Sequence, residues 1–192
     1  MEKPVSFFNN ICTLSAETQR LMRELFVYDE LKKGAFFIQV GDVAKEIALL
    51  ETGIIRAFYV NRHGKQYNKT LFVAPSIIGS YASLISKKEN KLAQQALTDC
   101  KIWKAPFKRI EKLSEKNIEI ERLRRKIAES FFLQKEKKEV EMALLEAGER
   151  YVKFQKEYPD VERQILQYHI ASYLGISPTQ LSRIKKNLQK KS

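Results

Sequence analysis

The chain has 192 residues, 44% of them hydrophobic and 30% charged, at a mean hydropathy of -0.39. That is enough for a packed core within two modest domains, and it excludes disorder as the ground state. No apolar run approaches the ~18 residues of a membrane span, and Met1-Glu2-Lys3-Pro4 leads into a mixed stretch rather than a secretory leader, so a cytoplasmic protein is expected. Cys12 and Cys100 are far apart and without a CxxC or His companion, and they read as two small buried hydrophobes rather than a disulfide framework or metal cluster.

In chain order, residues 15–26 place Leu21, Leu25 and Phe26 on one helical stripe behind Ser15, a candidate N-cap. From Lys33 to Pro106 the texture changes to short apolar, aromatic and β-branched runs at 35–40, 47–50, 54–60, 67–73, 92–98 and 102–105. Gly34, Gly41-Asp42, Gly53, Asn61-Arg-His-Gly64, Pro75 and Gly79 punctuate them, which predicts a small β-barrel or sandwich with a hairpin at 61–64. After Pro106 the pattern is helical. Ile120, Leu123, Ile127 and Phe131 recur at three or four residues, giving a long amphipathic helix whose stripe suits either a two-stranded seam or packing on its own barrel. A homodimer joined along residues 118–137, with these four positions at or beside the seam, is the expectation, with a domain boundary near residue 146.

Net charge is +12, from 35 Lys and Arg against 23 Asp and Glu, with a pI of about 9.6, and a polyanionic partner is favoured. Residues 1–107 carry 15 basic and 10 acidic side chains, residues 108–192 carry 20 and 13, and residues 163–192 contain no carboxylate side chain. Within that segment Ile170, Ala171 and Leu174 form the apolar face of a short helix, Gly175 allows a sharp exit and Ile176 plugs the turn. Ser177-Pro178-Thr179-Gln180 then supplies an N-cap, a Pro at the first helical position and a capping-box Gln. On the second helix Leu181, Ile184 and Leu188 face inward, while Thr179, Arg183, Lys186 and Lys190 line the opposite side, flanked by Ser182 and Asn187. Two such helices form a helix-turn-helix whose second member can enter the major groove of double-stranded DNA, where Arg183 can grip guanine and the Ser, Thr and Lys side chains can serve base edges or phosphates. Tyr168, His169, Ser177 and Gln180 complete the expected DNA-contacting set.

From end to end the chain resembles the Crp/Fnr transcription regulators. The segments that carry the likeness are Glu149-Arg-Tyr-Val-Lys-Phe154, Tyr158-Pro159 and Ile170-Ala-Ser-Tyr-Leu-Gly-Ile-Ser-Pro-Thr-Gln-Leu-Ser-Arg-Ile-Lys185. The resemblance implies an α+β fold: a cyclic-nucleotide-binding-like β-roll over 1–116, a dimerisation helix and hinge over 117–146, and a helix-turn-helix over 147–192. It also implies a homodimer on a palindromic operator, base reading by Thr179, Ser182 and Arg183, and RNA polymerase as a further partner. Only four residues follow Leu188, so the family's wing is expected to be truncated or absent. The family's ribose-binding Glu is replaced by Ser80 after Gly79, and no Arg occurs between Lys87 and Gln95 to hold a cyclic phosphate. Gly79, Ser80, Lys91, Lys135 and Glu136 are the pocket positions that the resemblance leaves, for an unidentified small-molecule effector other than cyclic AMP or for none. No cofactor is expected: Cys12 alone cannot hold an iron-sulfur cluster, and His63 sits in a hairpin loop. The alternatives are a cupin-like barrel, for which the strands offer only His63 as a histidine ligand, and a dimeric interaction module that does not bind DNA.

Overall fold

The computed structural model describes residues 3–189. Two helices, α1 (Lys3–Ile11) and α2 (Ala16–Leu25), precede eight strands: β1 (Val27–Leu31), β2 (Phe36–Ile38), β3 (Glu46–Thr52), β4 (Ile54–Val60), β5 (Gln66–Val73), β6 (Ser76–Ile78), β7 (Ala93–Ala96) and β8 (Cys100–Pro106), with a short α3 (Tyr81–Ser86) between β6 and β7. Helices follow to the end: α4 (Phe107–Ser114), α5 (Ile118–Leu144), α6 (Ala147–Glu157), α7 (Val161–Gln164), α8 (Gln167–Leu174) and α9 (Pro178–Gln189). The expected α+β class is therefore observed.

The strands make two antiparallel four-stranded sheets, in the orders β1-β8-β3-β6 and β2-β7-β4-β5. Between them lie Ala48, Leu50, Ile55, Ile78, Ala96, Cys100 and Ile102. The run Ile47-Ala-Leu-Leu50 is apolar without alternation because both of its faces are covered: Ala48 and Leu50 point between the sheets, while Ile47 and Leu49 join a second core formed with α1, α2, α4 and α5. Ser15 caps α2 by accepting from Thr18 N at 3.3 Å, as its sequence position suggests. The 61–64 hairpin closes with Gly64 at φ +74°, a conformation that favours glycine. Both cysteines are free and buried.

Two strands, β1 and β6, and the helices α1 and α3 go beyond the elements the sequence patterns indicate. At the expected α5 seam the structure differs, because most of the stripe is covered within its own chain. Ile120, Leu123 and Ile127 are 0%, 2% and 8% exposed, buried against Phe8, Met22, Phe107 and Ile110 of their own chain. Phe131 is half-buried with its ring edge on Tyr81, 5.5 Å between centroids. The buried part of the stripe is thus occupied by α1, α2 and α4 of the same chain. The opposite face of α5 carries Ile118, Phe132, Leu133, Val140 and Leu144 in solvent.

Candidate nucleic-acid interface and effector cradle

The C-terminal unit is built around Tyr151, Phe154, Val161, Ile165, Ile170, Ala171, Leu174 and Leu181, with Ile184 and Leu188 packed against them. The α8–α9 turn follows from local chemistry. Gly175 leaves α8 at φ +73°, its N–H bonded back to the Ser172 carbonyl, and Ile176 N–H reaches the Ala171 carbonyl. Ser177 Oγ accepts from Gln180 N at 3.2 Å, and Gln180 Oε1 accepts from Ser177 N at 2.9 Å, the reciprocal capping box. These two side chains are thus engaged in starting the helix.

With the apolar positions of α9 turned toward α8, Thr179, Ser182, Arg183, Lys186 and Asn187 stand exposed together, with no acidic residue on α9. Lys185 points the other way and pairs with Glu162 at 2.6 Å. Burial works against the charge of Glu162, but Lys185 and the Tyr151 hydroxyl, 3.0 Å away, hold it below the usual carboxylate range. The pair ties α9 to α6 and α7. Lys190, expected on the same face, lies outside the described residues.

Tyr168 is exposed at the start of α8, whereas His169 turns inward, half-buried, with Nδ1 unbonded. Burial, reinforced by Arg56 and Lys33, pushes the His169 imidazole down to about 4, so it is neutral near pH 7. The charged groups that act on the His169 ring are Arg56 and Lys33 of the strand region. Ser172 turns the same way: Asn68 N donates to Ser172 Oγ and Asn68 Nδ2 donates to the His169 carbonyl, each at 2.9 Å. Sequence separation hid this seating of α8 on β5.

At the other end, the cradle expected around Gly79 and Ser80 is closed on itself. Ser80 Oγ donates to Asn90 Oδ1 at 2.5 Å, and Asn90 Nδ2 reaches the Gln39 and Leu92 carbonyls. The backbone of Asn90 pairs with Gly41 at 2.9 Å and with Asp42 at 2.7 Å, while Ser83 Oγ bridges Ala44 N and the Lys88 carbonyl. Ser80, Ser83 and Asn90 are all buried. The other expected pocket positions are not drawn in: Lys91 is exposed, and so are Lys135 and Glu136, which lie beyond Phe131 on α5, with Lys135 paired to Glu139 at 3.4 Å. Of the expected positions, Gly79 and Ser80 thus lie together, joined by Asn90, while Lys91, Lys135 and Glu136 stand apart from them. A separate apolar cavity of about 30 Å³, lined by Phe8, Met22, Phe26, Tyr81, Phe107 and Leu123 among others, has room for a water or two and not for a nucleotide. Among the described residues no group of three or more His, Cys, Asp or Glu could hold a metal ion, and no helix is long and apolar enough to cross a membrane.

Residues 28–117 match the cyclic nucleotide-binding domain family. No curated protein matches the chain. Among solved structures, FixK2 from Bradyrhizobium japonicum superposes with a TM-score of 0.76 at 17% identity, over 87% of this chain and 86% of that one. The c-di-GMP responsive global regulator CLP from Xanthomonas campestris gives 0.69 at 15%, over 92% and 93%. A protein from Eubacterium rectale assigned to the crp/fnr family of transcriptional regulators gives 0.71 at 16%, over 93% and 85%. The chain is a cyclic-nucleotide-binding-like domain joined to a helical C-terminal region, similar in fold, at low identity, to regulators of the Crp/Fnr type.

Proposed function

We propose that the protein is a homodimeric, non-enzymatic transcription regulator that reads duplex DNA through α9. The observation that carries this reading is the α9 face itself. A helix started by a reciprocal capping box, held on α8 by Leu181 and Ile184, offers Thr179, Ser182, Arg183 and Lys186 to solvent with no carboxylate among them. Arg183 is the one planar, bidentate donor there and is assigned to a base edge; Lys186 is assigned to phosphate. The resemblance to Crp/Fnr regulators supports the same reading from the arrangement of the whole chain.

A second copy joins along the outward face of α5. Leu133, Val140 and Leu144 follow one another at seven and four residues, Phe132 lies beside Leu133, and Ile118 stands fourteen residues before Phe132. Two recognition helices about 34 Å apart then address successive major grooves, so the site is palindromic. The domain limits that go with this are 1–116 for the barrel, 117–146 for the dimer helix and hinge, and 147–192 for the DNA unit. RNA polymerase is the further partner. Cyclic AMP is not the effector, because Ser80 faces Asn90 instead of a ribose and the loop lacks the arginine a cyclic phosphate requires.

Selection of bound sequences from random duplex DNA by the purified full-length chain tests the reading. A two-fold-symmetric enriched motif is expected. Enrichment of no sequence above background overturns it and leaves a dimeric interaction module.

A further inference from the structure

In the sheet β2-β7-β4-β5, β5 is an edge strand, whose outward backbone groups need a partner. Its pairing with β4 slips between Ala57/Thr70 and Phe58/Asn68. That bulge puts Asn68, rather than Lys69, on the outer face that carries Ile54 and Arg56 of β4 and Leu71 of β5. Asn68 is 6% exposed and every polar group of its side chain is engaged. Besides its two bonds to α8, its Oδ1 accepts from Arg56 Nη1 at 3.5 Å. Arg56 is in turn fixed by Gln95 Oε1, at 3.1 Å from Nε and 2.7 Å from Nη2, and its guanidinium lies 3.8 Å from the centre of the Phe58 ring. Gln95 Nε2 donates to the Gly34 carbonyl at 2.9 Å. A chain of hydrogen bonds therefore runs from the turn before β2, across β7 and β4, into the backbone of α8. Around it Ile54, Leu71 and Leu97 of the barrel share one apolar cluster with Ile170, Ala171 and Leu174.

On its far side the same unit is held by α5: Lys138 Nζ sits 3.6 Å from the centre of the Tyr173 ring, and Met142 packs so close to Gly175 that a Cβ there would lie 2.7 Å from Met142 Cε. The seat covers His169 and Ser172 but leaves Thr179, Ser182, Arg183 and Lys186 in solvent. It coexists with a cradle already closed by Ser80 and Asn90.

We propose that Asn68 is a positioning residue that locks the helix-turn-helix onto the barrel edge with its recognition face free, so that the chain addresses DNA with no ligand in the barrel. The proposal rests on the DNA reading above and adds how the reading head is oriented. Where only a fraction of molecules holds the competent orientation, apparent affinity falls by that fraction. Loosening the seat therefore weakens binding without removing any contact to DNA.

The test compares the full-length wild type with Asn68→Ala and with the milder Ser172→Ala, on the selected duplex and on random duplex, with no added metabolite. The wild type is expected to bind unaided. Asn68→Ala is expected to bind the selected duplex about tenfold more weakly, the worth of one or two net hydrogen bonds, with Ser172→Ala in between. Base preference and the slope of affinity against salt stay unchanged, because neither base nor phosphate contacts are lost. Amide exchange should accelerate over 167–175 while the barrel strands stay protected, which separates an unlocked head from an unfolded chain. Equal or tighter binding by Asn68→Ala overturns the proposal, as does a wild type that binds only after a cell metabolite is added. A wild type that enriches no sequence sinks the DNA reading instead, and amide exchange over 167–175 still reports whether Asn68 holds α8.

Discussion

On α9, Thr179, Ser182, Arg183 and Lys186 hold their polar ends in solvent around a helix whose start is already satisfied by Ser177 and Gln180. Between Gly79 and Leu92, Ser80, Ser83 and Asn90 do the reverse, turning every side-chain donor and acceptor onto their own loop and onto residues 39–44. The α9 side chains keep their donors in solvent, whereas Ser80, Ser83 and Asn90 have theirs bonded within the loop, although Lys87, Lys88 and Lys91 of the same segment stay exposed. A buried polar group without a partner is costly, so a loop that cannot count on a ligand is stable only when it bonds itself. A surface that is to meet phosphate and base edges must leave its donors to water until they arrive. Substitutions should accordingly divide the two regions: inward residues should affect stability and outward residues should affect binding.

The division is sharpest on the two faces of α5, where the largest effect is expected. Leu123→Ala removes a side chain 2% exposed from the core shared with Phe8, Met22 and Ile110, and should lower unfolding free energy by about 2–5 kcal/mol in urea titration. Leu133→Glu, on a position 64% exposed, should leave the isolated chain's stability within about 0.5 kcal/mol and abolish the dimer in sedimentation. A Leu133→Glu chain that still sediments as a dimer at tens of micromolar would place the seam elsewhere.

In the cradle, Asn90→Ala strips partners from Ser80, Gln39 and Leu92 and should cost about 1–3 kcal/mol of stability. Calorimetry should give no saturable heat with cyclic AMP for the wild type. Low-micromolar binding, about -8 kcal/mol, would show that the Ser80–Asn90 bond opens for a ligand. On the outward side, Arg183→Ala should weaken the selected DNA by about 1–3 kcal/mol and flatten preference at one base pair per half-site, with unfolding unchanged. Equal losses on selected and random DNA would make Arg183 a phosphate clamp.

How much of this could be read before the structure follows from the range of the interactions. The α8–α9 turn was legible because the cap, the glycine and the apolar spacing act within four residues of one another. Most strands were legible because apolar runs such as Ile47–Leu50 need no knowledge of partners. The edge strand Val27-Tyr-Asp-Glu-Leu31 was not, since its pairing is with β8 alone and its acidic residues mask the pattern. Periodicity located the stripe Ile120-Leu123-Ile127 but carries no information on what the stripe faces. Asn68 left no trace, because its role depends on a bulge and on contacts about a hundred residues away. Asn90 was hidden for a different reason: an amide that fills a site looks like any loop polar residue until its bonds are seen.

The smallest effect expected is at His169, which like Ser172 turns inward from the C-terminal unit. Its ring is half-buried beside Arg56 and Lys33, and burial first, then those two cations, hold its pKa down to about 4 from the ordinary 6.5. A depressed folded-state value means that the neutral ring is favoured in the packed state. Its contribution to stability is therefore complete above pH 6.5 and lost as pH falls through about 4. The neighbours that shape this are Arg56 on β4, Lys33 before β2 and the adjacent Tyr168 ring, 5.2 Å away, none of which offers an anion to a protonated imidazole. Acidification from pH 6.5 to 4 should therefore free α8 from β5. Carboxylates across the chain titrate in the same window, so the measurement is the difference between the wild type and His169→Leu, each followed by amide exchange over 167–175. The wild type should lose protection more steeply than the variant, by a small margin because the ring is only partly buried. Parallel curves would mean that His169 can leave its place without carrying α8 with it.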